Sequence, residues 1–247
     1  MLLSLLSDIH LDFSPDPLSY IEFFIPSSPR LDTVLMLAGD IGNPFSDIYR
    51  IFLHRLSLLY LKVFIISGNH EYHHPSPFHH IDSLISSITS SFSNVHFLQR
   101  SSLVFNRVRF LGCTLWSLSD PSLILNVSDY SHIPSMSSDL CIHMHTRDSD
   151  WLTSQLALEN HLYDHTVVMT HHLPSYSLIS PKYLNNPTNI FYASMSDHLV
   201  IKASIWLCGH SHTPTYLTIG SCRCYINPVG YIGQNTGFIL DHKIYLS

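Results

Sequence analysis

The chain has 247 residues, of which 45% are apolar, 12% aromatic and only 12% charged. That balance excludes a disordered polymer, which pairs low hydrophobicity with high charge, and the length is enough to bury a sizeable core. Lys and Arg total 12 against 18 Asp and Glu, a formal charge of −6 with histidine neutral, which excludes a broad phosphate-tracking surface for duplex nucleic acid but leaves room for a small anionic substrate held by a local cation.

Taken in chain order, five short apolar runs stand out, at 2–6, 33–38, 63–66, 166–169 and 204–207. Bounded by small residues, they read as strands buried on both faces. Each stops at a polar, metal-competent or glycine residue. The ends are Ser7-Asp8-Ile9-His10, Gly39-Asp40, Ser67-Gly68-Asn69-His70, Thr170-His171-His172 and Cys208-Gly209-His210. Helix-length segments lie between them. The first, 45–60, follows an Asn43-Pro44 start signal and keeps Ile48, Ile51, Phe52, Leu56 and Leu59 in register. The others are 77–92, with Ile81, Leu84, Ile85 and Ile88, and 148–161, with Trp151, Leu152, Leu156 and Leu158. Further strands are expected at 95–98, 103–112, 215–219, 222–226 and 237–245. The Ser-, Asp- and His-rich stretch 114–146 reads as a long loop with one helical turn, a lid or binding loop over the site. Strands alternating with helices predict an α/β fold with its site at the carboxyl ends of strands. No repeat or linker divides the chain, so 1–247 is expected to form one domain.

The start, Met1–Leu6, is too short for the core of a secretory leader, and 51–66 carries His54, Arg55 and Lys62, which suits a buried helix running into a strand rather than a membrane span. The 5 cysteines include no Cys-x-x-Cys, and they are expected to be buried thiols in a reducing compartment. A cytoplasmic chain without membrane contact follows as an expectation; the oligomeric state is left open.

The strand ends carry the chemistry. Asp8 and His10 are two apart at the end of an extended run, so both are expected to project to one side, and the same holds for His210 and His212. Glycines 39, 68 and 209 are expected to let the backbone turn tightly beside these groups. Carboxylate, imidazole and amide donors together suit manganese, iron, cobalt or zinc. Asp8, His10, Asp40, Asn69, His171, His210 and His212 are too many donors for one four-coordinate ion and enough for two ions sharing Asp40.

The set Ser-Asp-Ile-His, Gly-Asp-Ile, Gly-Asn-His-Glu, Thr-His-His and Gly-His-Ser-His, in this order over residues 8–212, resembles the calcineurin-like metallophosphoesterase superfamily. The resemblance implies a central two-sheet β-sandwich flanked by helices, with a dinuclear metal centre at the strand carboxyl ends. It implies one metal held by Asp8, His10, Asp40 and His212, and a second held by Asp40, Asn69, His171 and His210. His70 matches the family's catalytic histidine, beside the metals without ligating them. The implied activity is hydrolysis of small phosphate mono- or diesters, nucleotides among them, by in-line attack of a metal-bridging hydroxide, with His70 assisting the leaving oxygen.

Around that core, Glu71 is expected to support the loop rather than bind metal. His172, Tyr72 and Tyr130 are expected to face the substrate, and Arg147 and Lys182 are the cations expected near the site. The run from Gly39 to Pro44 lacks the downstream Asp-Arg pair of the Ser/Thr phosphatase branch, which argues against phosphoprotein substrates. A scaffold that has lost catalysis and a single-strand nuclease are the alternative classes. The first is disfavoured because every motif residue is present, the second by charge.

Overall fold

In a computed structural model, residues 1–124, 127–158 and 161–246 are described. Among the described residues, eleven strands form two sheets. One contains β1 (Leu2–Leu6), β2 (Arg30–Ala38), β3 (Tyr60–Ile66), β4 (Val95–Phe97) and β11 (Lys243–Tyr245), in the order β11-β1-β2-β3-β4. The other contains β5 (Ser101–Phe105), β6 (Val108–Cys113), β7 (His165–Thr170), β8 (Ile205–Cys208), β9 (Thr215–Ile219) and β10 (Cys222–Ile226), in the order β5-β6-β7-β8-β10-β9. β1, β2, β3 and β4 pair in parallel, as do β6, β7, β8 and β10, so the strands that matter all point their carboxyl ends the same way within their sheet.

The two-residue alternation of strands sorts the apolar runs into layers. Leu3, Leu5, Val34, Met36, Phe64 and Ile66 face Phe110, Val167, Met169, Ile205 and Leu207 across the space between the sheets. The intervening Leu35, Leu37, Val63 and Ile65 face outward onto α2 (Asp47–Ser57), where Tyr49, Phe52, Leu53 and Leu56 cover them. On the far side Leu111, Val168 and Trp206 pack against Leu152 and Leu199. Both faces of each sheet are therefore buried, which is why the strands read as unbroken apolar runs. The expected α/β sandwich with flanking helices is the observed architecture. Among the described residues no helix is long and apolar enough to cross a membrane.

Several elements differ from expectation. The 114–146 stretch is a loop only in its first part, because α5 spans Ser138–Leu156. Ser137 caps it by accepting the Leu140 N–H at 3.1 Å, and Cys141, Met144, Asp148 and Leu152 make one buried stripe. Polar composition hid this stripe, half of which lies upstream of the expected helix at 148–161. That helix ends at Leu156, and its expected positions 159–160, like 125–126 of the loop, lie outside the described residues. The strand expected at 103–112 is a hairpin, with Asn106 and Arg107 at φ 47° and 58° forming the two-residue turn between β5 and β6. The strand expected at 237–245 shrinks to β11. Helices α1 (Pro17–Glu22), α4 (Asp129–His132) and α6 (Asp197–Val200) had no clear signal in the sequence, being one turn or little more, while α3 (Phe78–Ser90) matches its expected segment.

Candidate metal centre

The five strand ends converge at one edge of the sandwich. β1 delivers Asp8 and His10, β2 delivers Asp40, and β3 delivers Asn69 and His70; from the other sheet, β7 delivers His171 and β8 delivers His210 and His212. The two sheets are joined there by hydrogen bonds. The His210 N–H donates to Asp8 Oδ1 at 2.9 Å, and His171 Nδ1 meets the Ala38 carbonyl at the end of β2 at 2.8 Å.

The convergence is not produced by extended chain, as the two-residue spacing had suggested. Asp8, His10, Asp40, His210 and His212 have φ of 55°, 53°, 55°, 66° and 48°. These are left-handed conformations, which Asp and His tolerate better than most residues and which cost on the order of 1 kcal/mol each. Left-handed backbone at each strand end swings the side chain inward. Close approach does the rest: a Cβ on Gly68 would lie 2.1 Å from Asp40 Oδ1, so only glycine lets the two loops meet.

Glu71 ties those loops together. Its buried carboxylate accepts N–H groups from Gly68 at 2.7 Å, Ile41 at 2.7 Å, Asp40 at 3.0 Å and Gly42 at 3.4 Å. Burial, with Asp40 nearby, pushes its pKa up to about 7 against the pull of these donors. Glu71 thus takes the supporting place expected of it.

Two clusters of donor atoms share Asp40. In one, His212 Nε2 lies 3.5 Å from Asp8 Oδ1 and 3.1 Å from His10 Nε2, which is itself 3.9 Å from Asp40 Oδ2. In the other, His171 Nε2 lies 3.3 Å from Asp40 Oδ2 and 3.0 Å from Asn69 Oδ1, and the donor atoms of Asp40, His171 and His210 fall within 4.8 Å of one another.

The hydrogen bonds behind the rings decide what those atoms are. His171 Nδ1 meets the Ala38 carbonyl at 2.8 Å and so carries its hydrogen there. His212 Nδ1 meets Gln234 Oε1 at 2.8 Å, an oxygen that also accepts the Tyr231 N–H at 3.1 Å. In the neutral rings both Nε2 atoms are thereby left with lone pairs turned towards oxygen lone pairs, those of Asp40 and Asn69 at His171 and that of Asp8 at His212. Acceptors facing acceptors are stable only with positive charge between them. A proton can supply it: although burial opposes the charge, Asp40, with Asp8 further off, drives His171 up to about 10. A metal cation can also supply it, since the donor set is the carboxylate, imidazole and amide mixture that intermediate divalent metals take. Burial meanwhile holds His10 down to about 3 and His210 down to about 4, neutral and ready to donate lone pairs.

His70 stands beside the shared carboxylate, with Nε2 4.0 Å from Asp40 Oδ2 and its backbone N–H on Asp40 Oδ1 at 2.9 Å. It lines a cleft of about 330 Å3 together with Asp40, Asn69, His210 and His212. The other walls come from Tyr183, Asn186, Asn189 and Tyr192 on one side and Tyr231 and Gln234 on the other.

The three residues expected to face substrate do not line this cleft. Tyr72 is buried, and its hydroxyl donates to Asp82 at 2.7 Å. His172 is buried behind His210, with rings stacked at 4.1 Å. Tyr130 is half-buried within the segment that follows β6, its hydroxyl paired with Ser119. Nor does Arg147 line the cleft, and Lys182 sits 4.5 Å from the Tyr183 ring without lining it. Tyr183, Tyr192, Tyr231 and Gln234 were missed by sequence reasoning. They lie in connecting segments, at spacings that repeat no motif.

Residues 1–214 match the family described as calcineurin-like phosphoesterase. The uncharacterized protein L509 of Acanthamoeba polyphaga mimivirus is 27% identical over 226 residues, covering 83% of this chain and 80% of that protein. Among solved structures, the phosphopantetheinyl hydrolase of Mycobacterium tuberculosis superposes with a TM-score of 0.65 at 16% identity, over 93% of this chain and 89% of that one. A putative 5′-nucleotidase of Staphylococcus aureus superposes with a TM-score of 0.51 at 14% identity, over 92% of this chain and 48% of that one. With the ordered strand-end motifs and the converged donor clusters, the match over most of its length establishes that the chain belongs to the calcineurin-like phosphoesterase family.

Proposed function

We propose that this protein hydrolyses small phosphodiesters with two cations held by Asp8, His10, Asp40, Asn69, His171, His210 and His212. The observation that carries this reading is the closeness of the Asp8–His10–His212 and Asp40–His171–His210 groups, linked by His10 Nε2 at 3.9 Å from Asp40 Oδ2, beside a cleft that Asp40, His210 and His212 line. Bound there, two cations of the manganese, iron, zinc or cobalt type would neutralise phosphoryl oxygens and lower the pKa of water.

The chain's own groups do the remainder. Asp40 belongs to both clusters and sets their separation. His70, at the cleft edge with Nε2 towards Asp40, is placed to hold a proton against the ester oxygen that departs. Tyr183, Tyr192 and Tyr231 offer ring faces and hydroxyls to the organic part of the substrate. Among the described residues that line the cleft there is no Lys or Arg, so a second phosphate group would lack a partner. A singly charged diester suits such a wall better than a doubly charged monoester. The names of the two structures of similar fold, a phosphopantetheinyl hydrolase and a putative 5′-nucleotidase, belong to the same broad chemistry. The described cysteines are all free and buried, which goes with action in the reducing cytoplasm.

The test is hydrolysis of bis-p-nitrophenyl phosphate and p-nitrophenyl phosphate by metal-stripped protein, with manganese, cobalt, zinc or iron restored in turn and Asp40→Asn alongside. Metal-dependent turnover of the diester above the monoester, lost in the variant, is the expected result. Silence from folded protein that binds two ions would overturn the reading, and a preference for the monoester would overturn the substrate class.

A further inference from the structure

Asp129 lies outside the five strand-end motifs, at the start of α4 in the segment that follows β6. It is 6% exposed. Its Oδ1 accepts two hydrogen bonds, from Asn69 Nδ2 at 2.7 Å and from His73 Nε2 at 2.8 Å. The first bond decides which way the Asn69 amide faces. With its NH2 committed to a carboxylate, the carbonyl oxygen is turned to His171 Nε2, 3.0 Å away. The second bond seats the His73 ring, whose centroid lies 4.2 Å from that of His70. One buried oxygen therefore serves both the Asn69–His171–His210 half of the centre and the histidine at the cleft edge.

We propose that Asp129 is the positioning residue for the cation held by Asn69, His171, His210 and Asp40, so that the segment between β6 and α5 is part of the metal centre and not merely its cover. The proposal rests on the two-cation reading given above. Its physical ground is an asymmetry between the two orientations of an amide. With a neutral apolar side chain at 129, Asn69 can turn either its oxygen or its NH2 towards His171. A buried carboxylate binds the NH2 at charge-assisted strength and repels the oxygen, which removes the wrong orientation. The opposite half of the centre is held separately, by Gln234 through His212 Nδ1 at 2.8 Å. Each ion is thus steadied by its own loop, and loss of one anchor should be felt by one ion.

The experiment is calorimetric titration of the metal-free full chain with manganese(II), comparing wild type, Asp129→Ala, Asp129→Asn and Gln234→Ala, with thermal melting in chelator as the check on folding. Wild type is expected to bind two ions. Asp129→Ala should keep one at wild-type affinity and weaken the other by roughly 10–100-fold, the usual reach of a residue that orients a ligand. Asp129→Asn should fall between, since its amide oxygen still accepts the Asn69 NH2 without the charge. Combining Asp129→Ala with Gln234→Ala should weaken both ions. Wild-type affinity for both ions in Asp129→Ala would overturn the proposal, as would equal weakening of both ions in Asp129→Asn. Wild type that binds fewer than two ions would overturn the two-cation reading and this proposal with it, whereas two-ion wild type beside unaffected variants would overturn this proposal alone.

Discussion

The hydroxyl of Tyr231 lies 3.2 Å from Nε2 of His70, while the Tyr231 ring stacks on His10 at 4.4 Å. A loop near the carboxyl end thereby touches a strand-end histidine from the first sheet and the histidine at the cleft edge. Removing the hydroxyl alone, in Tyr231→Phe, should preserve the stack and both ions. Turnover should fall by about 10-fold, the worth of one hydrogen bond of ~1–1.5 kcal/mol. The loss should be larger for phenyl than for p-nitrophenyl diesters, because a poorer leaving oxygen depends more on its surroundings. Steady-state kinetics across a leaving-group series checks this, and an equal loss for every diester would contradict it.

His70→Ala separates holding the ions from using them. His70 Nε2 lies 4.0 Å from the shared carboxylate and within one donor group with His10 and Asp40, but it is outside both sets of residues proposed to hold the ions. The variant should bind two ions as wild type does and lose roughly 10²–10⁴-fold in kcat, the span of a missing acid–base group. Metal analysis on the purified variant, next to its rate, gives the answer; unchanged kcat would remove His70 from the reaction.

Loading of the metal-free protein should release protons in a predictable direction. Although burial opposes the charge, Asp40 draws the His171 pKa up to about 10, so the ring is protonated at pH 8 and must surrender that proton to a cation. A raised folded-state pKa means stabilisation that is complete below the ordinary histidine value and lost as pH rises through about 10. Ion affinity should therefore climb with pH between the neutral range and that value. Calorimetry in buffers of different ionisation enthalpy counts the protons, and the expected count is near one per filled His171 site.

Gly68→Ala is the sharpest test of the loop geometry. The added methyl would sit 2.1 Å from Asp40 Oδ1, which the His70 N–H holds, and 2.6 Å from the Asp40 nitrogen, which the Glu71 carboxylate holds. The loops must part, at a cost of at least ~1–3 kcal/mol by analogy with overpacked sites. Urea unfolding should show that loss, and the variant should bind ions poorly even where it remains folded.

The fold was legible because strands buried on both faces leave unbroken apolar runs, and all five of the runs became strands of the two sheets. The helix at α5 was only half legible: its buried stripe of Cys141, Met144, Asp148 and Leu152 mixes polar with apolar side chains, so hydrophobic periodicity understates it. Asp148 is inside because Arg100 Nη1 and the Leu115 N–H both bond its carboxylate, a partnership of three separate segments that no local spacing could announce.

By itself the sequence determined which groups gather. Asp8, His10, Asp40, Asn69, His70, His171, His210 and His212 stand at strand ends, and parallel strands in a packed sandwich bring their carboxyl ends together. Tertiary structure alone decided how those groups are aimed and what surrounds them. The left-handed backbone at five of the donors, the Asp129 bond to Asn69, the Gln234 bond to His212 and the burial of Tyr72 and His172 away from the cleft all depend on contacts between segments far apart in the chain. Donor identity is a property of single residues and is written locally. Orientation belongs to pairs, and the pair exists only once the chain has folded.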